Sequence, residues 1–292
     1  MAVSLPVKIG IIGGSGIYQM PGVELVKEHA ISTPFGEPSD KVIEGKLHGR
    51  TVYFLPRHGK GHRFTPSEVN YRANIYALKS LGVTHVLAVS AVGIMKEHIK
   101  PGDMVIPDQI FDRTKGKRAE TFFGDGIVGH FEFADPFDAE FSKWIEKAAR
   151  SVTDRVHFGG TYVCMEGPAF STRAESHHYR ETLRPAIIGM TAIPEAKLAR
   201  EAEMCYGMLA LATDYDCWHE GEDDVSVEAV LAVLKGNGEK ANNIVKALVK
   251  ELPEHHESRI FSIGAYAIMT ARELIPEHRK KALALLWGKY LG

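Results

Sequence analysis

The sequence predicts an α/β fold: a single-domain, three-layer sandwich in which helices flank a central, twisted, mixed β-sheet. Short apolar runs of strand length alternate with longer segments of helical periodicity along the 292 residues. No linker rich in Pro, Ser and Gly divides the chain, so residues 1–292 are expected to form one domain. Several apolar runs end in glycine, hydroxyl or charged residues, and open α/β sheets bind ligands at the carboxyl ends of their strands.

Strands and helices alternate in the order that such a sheet requires. The predicted strands are 7–12, 51–55, 85–89, 104–107, 160–165, 186–190 and 206–213. The predicted helices are 67–81, 139–151, 171–182, 193–203, 225–252 and 269–290. The last helix belongs to a C-terminal segment, 253–292, that could pack on its own core or on another subunit. Polar, glycine-containing connections at 115–133 and 218–224 are predicted to be surface loops.

The composition excludes several classes of protein. Hydrophobic residues make up 45% of the chain and charged residues 25%, which is typical of a globular protein. Lys and Arg total 35 against 37 for Asp and Glu, so no overall field favours a nucleic-acid or membrane partner. Cys164, Cys205 and Cys217 include no CxxC pair, so neither a disulfide framework nor a metal site is predicted. Without a signal peptide or an apolar run of transmembrane length, a cytoplasmic protein is expected.

The first strand runs into Gly13-Gly14-Ser15-Gly16. Glycines let backbone N–H groups approach an anion, and Ser15 adds a hydroxyl group. A dinucleotide-binding fingerprint needs a further glycine where Gln19 stands, so that interpretation fails. A plain strand-to-helix turn explains these glycines equally well.

Two further strands also end in residues suited to anions. Arg57 and His58 follow the second strand, where Arg57 offers a bidentate fork to an oxyanion and His58 adds a donor or a positive charge. The third strand runs into Ser90 and Ala91, where a hydroxyl group and backbone amides could reach a ligand. Surface charge and a close-packed strand turn are the ordinary alternatives. Because three successive strands end this way, the recurrence favours a ligand site.

The fifth strand is followed by a Gly-Pro break and then by Phe170, Ser171 and Thr172. Ser171 or Thr172 is suited to cap the next helix, with Glu175 completing a capping box. Capping does not explain Phe170, and an aromatic ring beside a strand end suits stacking on a flat ligand. Glu166, at the strand end, could bond ligand hydroxyl groups or cap a turn.

The sixth strand leads into Met190 and Thr191, directly before a helix start that contains Pro194. Thr191 is suited to be the N-cap of this helix, and it is equally suited to bind phosphate there. Met190 is expected in the core, although a soft apolar side chain beside a sugar face is also reasonable.

The seventh strand ends in Asp214-Tyr215-Asp216. In an extended segment alternate side chains share a face, so the two carboxylates are expected to project together. Such a pair can retain one proton near neutral pH, which suits general acid catalysis on a leaving group. A strand-end turn, in which Asp bonds nearby backbone, is the alternative, and on this stretch alone it is the commoner outcome.

Taken together, these motifs resemble those of the 5′-methylthioadenosine phosphorylases, in the trimeric branch of the purine nucleoside phosphorylase family. In chain order the matching motifs are Gly13-Gly14-Ser15-Gly16, Arg57-His58-Gly59, Asn70-Tyr71-Arg72-Ala73-Asn74, Ser90-Ala91-Val92-Gly93, residues 166–175, residues 190–195 and residues 212–218. The resemblance covers about residues 7–243, and its last and fifth motifs are the most specific. It implies a reversible phosphorolysis, in which methylthioadenosine and phosphate give adenine and 5-methylthioribose 1-phosphate.

The resemblance also implies the roles of individual residues. The phosphate site would comprise Ser15, Arg57, His58, Ser90, Ala91 (through its backbone) and Thr191. The ribose and base would contact Met190, Phe170, Ser171, Asp214 and Asp216, and the 5′-substituent would contact Val230, Leu231 and His130 of a neighbouring subunit. Asp214 would protonate N7 of the purine, and Asp216 would accept a hydrogen bond from the 6-amino group. Val230 and Leu231 have the helical spacing of core residues as well.

Phosphate would be the co-substrate in this reaction, and no cofactor or metal is implied. The expected assembly is a homotrimer or a dimer of trimers.

Three other functions stay open at this point. A 6-oxopurine or methylthioinosine phosphorylase would place an oxygen against Asp216, which an ionised carboxylate repels. A nucleosidase would use water and would not need the anion site around Arg57. A non-catalytic nucleotide-binding module would be expected to carry the glycine fingerprint that fails at Gln19.

Overall fold

The computed structural model describes residues 2–14, 20–221 and 225–291. Within these ranges the strands are β1 (Val3–Pro6), β2 (Ile9–Gly13), β3 (Glu24–His29), β4 (Val42–Leu47), β5 (Arg50–Pro56), β6 (His85–Ile94), β7 (Met104–Ile106), β8 (Gln109–Arg113), β9 (Val156–Phe158), β10 (Thr161–Met165), β11 (Ile187–Gly189), β12 (Cys205–Asp214) and β13 (His255–Ser258). The α-helices are α1 (Tyr71–Ser80), α2 (Ala139–Arg150), α3 (Arg173–His178), α4 (Ala192–Glu201), α5 (Val227–Glu251) and α6 (Glu277–Leu291). Shorter 3-10 helices span Arg259–Tyr266 and Arg272–Leu274.

The main sheet is built around β6. The first four residues of β6 pair in parallel with β2, its other edge pairs in parallel with β12, and Gly93 and Ile94 pair antiparallel with β11. The sheet runs β3-β4-β5-β2-β6-β11-β10-β8, and β12, β7 and β9 extend it from the other edge of β6. Because β5, β2, β6 and β12 are parallel, their carboxyl ends lie at one edge of the sheet. β1 and β13 form a separate antiparallel ribbon.

Successive residues of the parallel strands face opposite sides of the sheet. Val86 and Ala88 belong to a core shared with α1, α4 and α6, whereas Leu87 and Val89 belong to a core shared with α2 and α5. Helix α2 packs on α5 on one side, and α1 packs on α4 and α6 on the other. The predicted α/β sandwich with a mixed central sheet is therefore confirmed.

All seven predicted strands are present, although several ends differ. The helix predicted from residue 67 begins at Tyr71, because the Asn70 side chain accepts the Ala73 N–H and caps it there. The helix predicted for 171–182 begins at Arg173 and changes at Tyr179 into a π-helix, Tyr179–Leu183. The predicted capping box is confirmed, with Thr172 as the N-cap and Glu175 as its partner.

The strands that were not predicted are β1, β3, β4, β8, β9 and β13. These strands are only three to six residues long, and most of their residues are exposed or polar. Their sequences therefore show neither a clear alternation of apolar and polar residues nor an apolar run. The last predicted helix begins at Glu277 rather than near residue 269. Among the residues described, no helix is both long and apolar enough to span a membrane.

Candidate active site

Arg57 follows β5 at the carboxyl edge of the sheet and is almost completely buried. Its Nε and Nη2 donate to the two carboxylate oxygens of Glu195 at 2.8 and 2.9 Å. Nη1 donates to the Val89 carbonyl at 3.2 Å, and Nη2 donates also to the Ile12 carbonyl at 3.3 Å. Although burial opposes the charge, Glu195 raises the pKa of Arg57 above its usual value.

This pairing changes the role expected for Arg57. The prediction that its bidentate fork faces an oxyanion is wrong in geometry, because Glu195 occupies the fork. A guanidinium has five N–H groups. Among the residues that the structure describes, four of them have acceptors, and one N–H of Nη1 has none. Arg57 can therefore offer an anion a single hydrogen bond and a positive charge that Glu195 largely balances.

His58 is half-buried and stacks on His62 with ring centroids 4.3 Å apart. Burial and the charge of Arg57 lower the pKa of His58 to about 4, so its ring is neutral at neutral pH. Nδ1 lies 2.9 Å from the Phe64 carbonyl oxygen, which can only accept, so Nδ1 carries the hydrogen. Nε2 of the neutral ring is consequently an acceptor, and the expected donor or positive charge is absent.

A phosphate ion beside His58 must therefore change one of two things. It can present a P–OH group to Nε2, or its negative charge can raise the pKa of His58 until Nε2 takes up a proton. Either route couples anion binding to the position of one proton.

Ser90 and Thr191 meet between β6 and the start of α4. Their hydroxyl oxygens lie 3.3 Å apart, and the Ser90 hydroxyl also donates to the Ala91 carbonyl. Thr191 directly precedes α4 and makes no side-chain capping bond, and Ile193 has non-helical dihedral angles (φ −110°, ψ 129°), so the regular helix begins only after Ile193. The Thr191 hydroxyl group has Ser90 and Tyr162 as neighbours. The predicted pair is brought together beside Val89, whose carbonyl accepts from Arg57.

Asp214 and Asp216 lie together, but not as alternate residues of a strand. β12 ends at Asp214, and Asp216 has a φ of 55°, so the chain turns between them. The Asp216 N–H donates to Asp214 Oδ1 at 2.9 Å, and the Thr213 hydroxyl donates to Oδ2 at 2.7 Å. The predicted strand geometry is wrong, and the alternative of an Asp that bonds nearby backbone in a turn is confirmed.

Burial is the main cause of the raised pKa values of both carboxyl groups. It raises the pKa of Asp214, which the two hydrogen bonds partly offset, and the neighbouring charge of Asp216 adds the smallest contribution. Burial also raises the pKa of Asp216, and the nearby hydroxyl groups of Ser171 and Ser176 oppose the rise. Mutual repulsion, which the sequence suggested as the cause, is therefore secondary.

Asp216 Oδ2 is buried and receives no hydrogen bond from any residue that the structure describes. A buried carboxylate oxygen without a donor is costly, and native proteins rarely leave one. The Ser176 hydroxyl group lies near Asp216 and is likewise buried without a partner among the described residues, so a small rotation lets it donate to Oδ2 in the free protein. A ligand that brings an N–H group to this oxygen would satisfy it as well.

Gly93, in β6, lies close to both carboxylates. A Cβ atom on Gly93 would lie 3.4 Å from Asp214 Oδ1 and 3.6 Å from the Asp216 Cβ. Ser90 and Gly93 belong to the same strand, so the hydroxyl pair and the carboxylates border one region at the end of β6.

Phe170, Ser171 and Met190 border the same region. The Ser171 carbonyl accepts from the Cys217 thiol at 3.4 Å, which ties this segment to the turn after β12. Phe170 is 41% exposed, which is unusual for a large aromatic side chain and leaves part of it accessible to a ligand. Met190 is half-buried, and its sulfur packs against Gly167, where a Cβ atom would come within 2.5 Å of it.

The remaining predicted site residues are His130, Val230, Leu231 and Ser15. His130 is exposed, its N–H donates to the Ala267 carbonyl, and it borders a surface cleft. Val230 is half-buried in α5, and the structure describes only the backbone of Leu231 in that helix. Ser15 lies outside the described residues. Neither His130 nor Val230 is linked to the carboxylates by a contact among the residues that the structure describes.

Arg118 is a buried residue that the sequence analysis missed. Nε donates to Glu166 Oε1 at 3.1 Å, and the two Nη groups donate to the carbonyls of Met190, Glu166, Ile193 and Met165. It thereby fixes the ends of β10 and β11, which carry Met190 and the chain leading to Phe170. Glu166 also accepts from Ser67 and from the Lys115 N–H, so it is a structural anchor rather than a turn cap.

Sequence comparison identifies relatives for most of this chain. Residues 8–250 match the model of the phosphorylase superfamily. The chain is 54% identical over 283 residues to an S-methyl-5′-thioadenosine phosphorylase of Geobacter sulfurreducens, covering 97% of this chain and 99% of that protein.

Solved structures agree with the sequence comparison. A methylthioadenosine phosphorylase from an antarctic soil metagenomic library superposes with a TM-score of 0.89 at 49% identity, covering 96% of this chain and 99% of that one. Methylthioadenosine phosphorylase from Schistosoma mansoni in complex with adenine superposes with a TM-score of 0.79 at 35% identity, covering 97% of this chain and 99% of that one.

The Arg57–Glu195 pair predicts a large loss of stability when one partner is removed. We expect Glu195→Ala to lower the free energy of unfolding by about 3–5 kcal/mol, because it leaves a buried guanidinium unpaired. Denaturant unfolding at a fixed protein concentration measures the change. The matched control is Glu146→Ala, which breaks the exposed pair with Arg150 and should cost about 0.5 kcal/mol or less. Equal effects of the two substitutions would contradict the importance of the buried pair.

Proposed function

The chain belongs to the phosphorylase superfamily, and from this we propose that it cleaves 5′-methylthioadenosine with phosphate, reversibly, to adenine and 5-methylthioribose 1-phosphate. Residues 1–292 act as one nucleoside phosphorylase domain. Relatives about half identical over nearly the whole chain carry this activity in their names, which supports the same substrate here.

Two kinds of group meet at the carboxyl end of β6, and their proximity carries the proposal. The hydroxyl groups of Ser90 and Thr191 lie on one side, near the N-terminus of α4. The carboxyl groups of Asp214 and Asp216 lie on the other, against Gly93. Cleaving an N-glycosidic bond develops positive charge on the ribose and negative charge on the departing base. An anion bound on one side of the sugar stabilises the positive charge on the ribose, and a proton donor on the other side neutralises the departing base.

The anion half binds phosphate as the nucleophile. The Thr191 hydroxyl group, the one remaining N–H of Arg57 and the Ser90 hydroxyl group, once it turns away from the Ala91 carbonyl, supply hydrogen bonds. Ser15 and the Ala91 backbone N–H are assigned to the same half by motif. His58 Nε2 accepts a phosphate P–OH or takes up a proton when the dianion binds. The phosphate then lies beneath the sugar, where its charge stabilises the developing oxocarbenium ion. Phosphate is the co-substrate, and the reaction requires no other cofactor.

In the part of the site that binds the purine base, the two carboxyl groups have different roles. Asp214, whose pKa burial raises, is the acid that protonates N7 as the base departs. Asp216 accepts a hydrogen bond from the 6-amino group, because its unpaired Oδ2 favours an N–H donor. A 6-oxopurine would place an oxygen against Oδ2 instead. Phe170 stacks on the purine, Ser171 borders it, and Met190 forms a wall of the ribose pocket. Val230 and Leu231, on α5, are assigned to the pocket of the 5′-substituent.

Self-association completes the site in this proposal. Tyr266 is 95% exposed and Met269 67%, and the Met269 N–H donates to the carbonyl of Val128, itself 54% exposed. Exposed apolar side chains grouped in this way mark a protein–protein contact. His130 lies beside them, through its bond to Ala267. We therefore assign this surface to a homotrimer or a dimer of trimers, in which His130 serves the neighbouring subunit's 5′-substituent pocket.

A phosphate-dependent assay tests the activity directly. The purified protein should release adenine from methylthioadenosine only when phosphate is present, and should turn over inosine far more slowly. Chromatography of the products measures both. Cleavage that persists without phosphate would indicate a nucleosidase, and equal turnover of inosine would indicate a 6-oxopurine phosphorylase. No adenine release under any condition would leave only a binding function.

The acid role predicts a specific defect for Asp214→Asn. Because a carboxamide cannot protonate N7, kcat for methylthioadenosine should fall by about 10²–10⁴-fold. A nucleoside analogue whose leaving group departs without protonation provides the control, since its cleavage should be much less affected. Circular dichroism confirms folding of the variant. Equal losses with both substrates would assign Asp214 to binding instead of proton transfer.

The assembly predicts that Tyr266→Glu weakens subunit association. Light scattering should give the mass of three or six chains for the wild type and a smaller mass for the variant, because a charge is costly in an apolar contact. The KM for methylthioadenosine should rise in the variant, since His130 would no longer reach its pocket. A wild-type monomer with full activity would contradict the shared site.

A further inference from the structure

A second cluster of reactive side chains lies at the opposite end of the central strands. β6 begins with His85 and β12 begins with Cys205, and the parallel register pairs these two residues directly. Asp214 lies nine residues farther along β12, which corresponds to about 30 Å of strand. The cluster is therefore separate from the candidate active site.

His256 joins this pair from another part of the fold. It lies in β13, whose pairing with β1 places it opposite Leu5. His85 Nε2 is 2.9 Å from His256 Nδ1, and Cys205 Sγ is 3.8 Å from the same nitrogen. All three side chains are buried, and their three ligand atoms lie within 4.8 Å of one another. Two nitrogens on a tetrahedral zinc ion are about 3.3 Å apart, and a nitrogen and a sulfur about 3.6 Å.

The outer nitrogens of both imidazole rings have partners suited to metal ligands. His256 Nε2 lies 3.2 Å from Oε2 of Glu140, whose carboxylate is exposed and accepts the Nε2 hydrogen. Nδ1 of neutral His256 is then a lone pair directed at the other two groups. His85 Nδ1 lies 2.9 Å from the Thr84 hydroxyl, which has the Pro6 carbonyl at 3.0 Å as its own acceptor. A carboxylate or hydroxyl behind a ligating histidine is the usual arrangement in metal sites.

The same contacts let the cluster exist in two forms. Without an ion, His85 Nε2–H donates to His256 Nδ1, and the cluster is a chain of hydrogen bonds. When the His85 hydrogen moves to Nδ1, where Thr84 accepts it, both inner nitrogens become lone pairs.

We propose that His85 Nε2, Cys205 Sγ and His256 Nδ1 bind one divalent transition-metal ion of the zinc class, with a water molecule as the fourth ligand. This ligand set of two imidazoles and a thiolate suits zinc and cobalt rather than magnesium or calcium. On binding, the Cys205 S–H bond is replaced by a sulfur–metal bond, and its proton passes to solvent. No oxidation or reduction occurs.

The surroundings of the cluster give the ion both access and charge balance. A cleft of about 330 Å³, lined by His256, Glu140 and Trp144, leads to His256 from the surface. The Asp138 carboxylate lies near Cys205, and the Glu140 carboxylate lies behind His256. Both negative charges would attract a cation bound in the cluster.

The ion would fasten the C-terminal segment to the sheet. His256 lies beyond residues 8–250, the part that matches the superfamily model, whereas His85 and Cys205 belong to two of its central strands. The site therefore links β13 to β6 and β12 at the edge away from the chemistry. The CxxC spacing rule did not predict it, because the three ligands come from distant points in the chain.

Cobalt substitution tests the site on the full-length protein. The chelator-treated protein is titrated with Co²⁺ without oxygen, and one equivalent per chain should produce thiolate-to-cobalt charge-transfer absorption and the visible bands of tetrahedral cobalt. Zn²⁺ should abolish these bands and raise the Tm. A spectrum of the hydrated ion alone at saturating Co²⁺, or no change in Tm with Zn²⁺, would overturn the proposal.

Two pairs of variants assign the ligands. Cys205→Ser should lose the charge-transfer absorption, whereas Cys164→Ser, another buried thiol, should retain it. Glu140→Gln, which changes an exposed side chain and should fold normally, should weaken Zn²⁺ binding about tenfold by removing the carboxylate behind His256. Its control is Glu251→Gln, in the same cleft but paired with Lys147, which should bind as the wild type does. Equal affinities of these two variants would overturn the assignment.

Discussion

The buried ion pair between Arg57 and Glu195 fixes the geometry on which the candidate active site depends. A charge removed from water is tolerated only with a partner and with its remaining hydrogen-bonding groups satisfied. Arg57 meets this requirement by bonding Glu195 in α4 and the carbonyls that end β2 and border Ser90 in β6. Tyr206 in β12 donates to the same carboxylate at 3.0 Å. One ion pair therefore sets the relative positions of three strands and of the helix that carries Thr191.

Arg118 has the same function at the ends of β10 and β11. Its contacts with Glu166 and with carbonyls near the ends of β10 and β11 hold two segments without regular structure. These segments carry Met190, Phe170 and Ser171. Loops around a ligand are ordinarily mobile, and a buried guanidinium that bonds several carbonyls restricts them. Two buried arginines thus prepare the two halves of the site, which lowers the entropy lost when substrate binds.

The sequence predicted the central strands and the residues at their ends, because both leave local signals. Apolar runs mark β2, β5, β6 and β12, and the turn chemistry after each run marks Arg57, Ser90 and Asp214. It could not predict the Arg57–Glu195 and Arg118–Glu166 pairs, since 138 and 48 residues separate the partners. The turn at Asp216 was left as an alternative to an extended pair, because the positive φ of a non-glycine residue is set largely by tertiary contacts.

The fold explains why Asp214 and Asp216 are not equivalent although only Tyr215 separates them. Asp214 ends a strand, so a neighbouring hydroxyl group and a backbone N–H already bond its two oxygens. Asp216 follows a reversal of the chain that buries it and leaves Oδ2 without a donor among the described residues. An oxygen that is unsatisfied in the free protein discriminates strongly between ligands that do and do not bring an N–H group, because the wrong ligand leaves it unsatisfied. The turn after β12, and not the strand, is therefore what gives the two carboxylates different surroundings, because an extended strand would have given two similar ones.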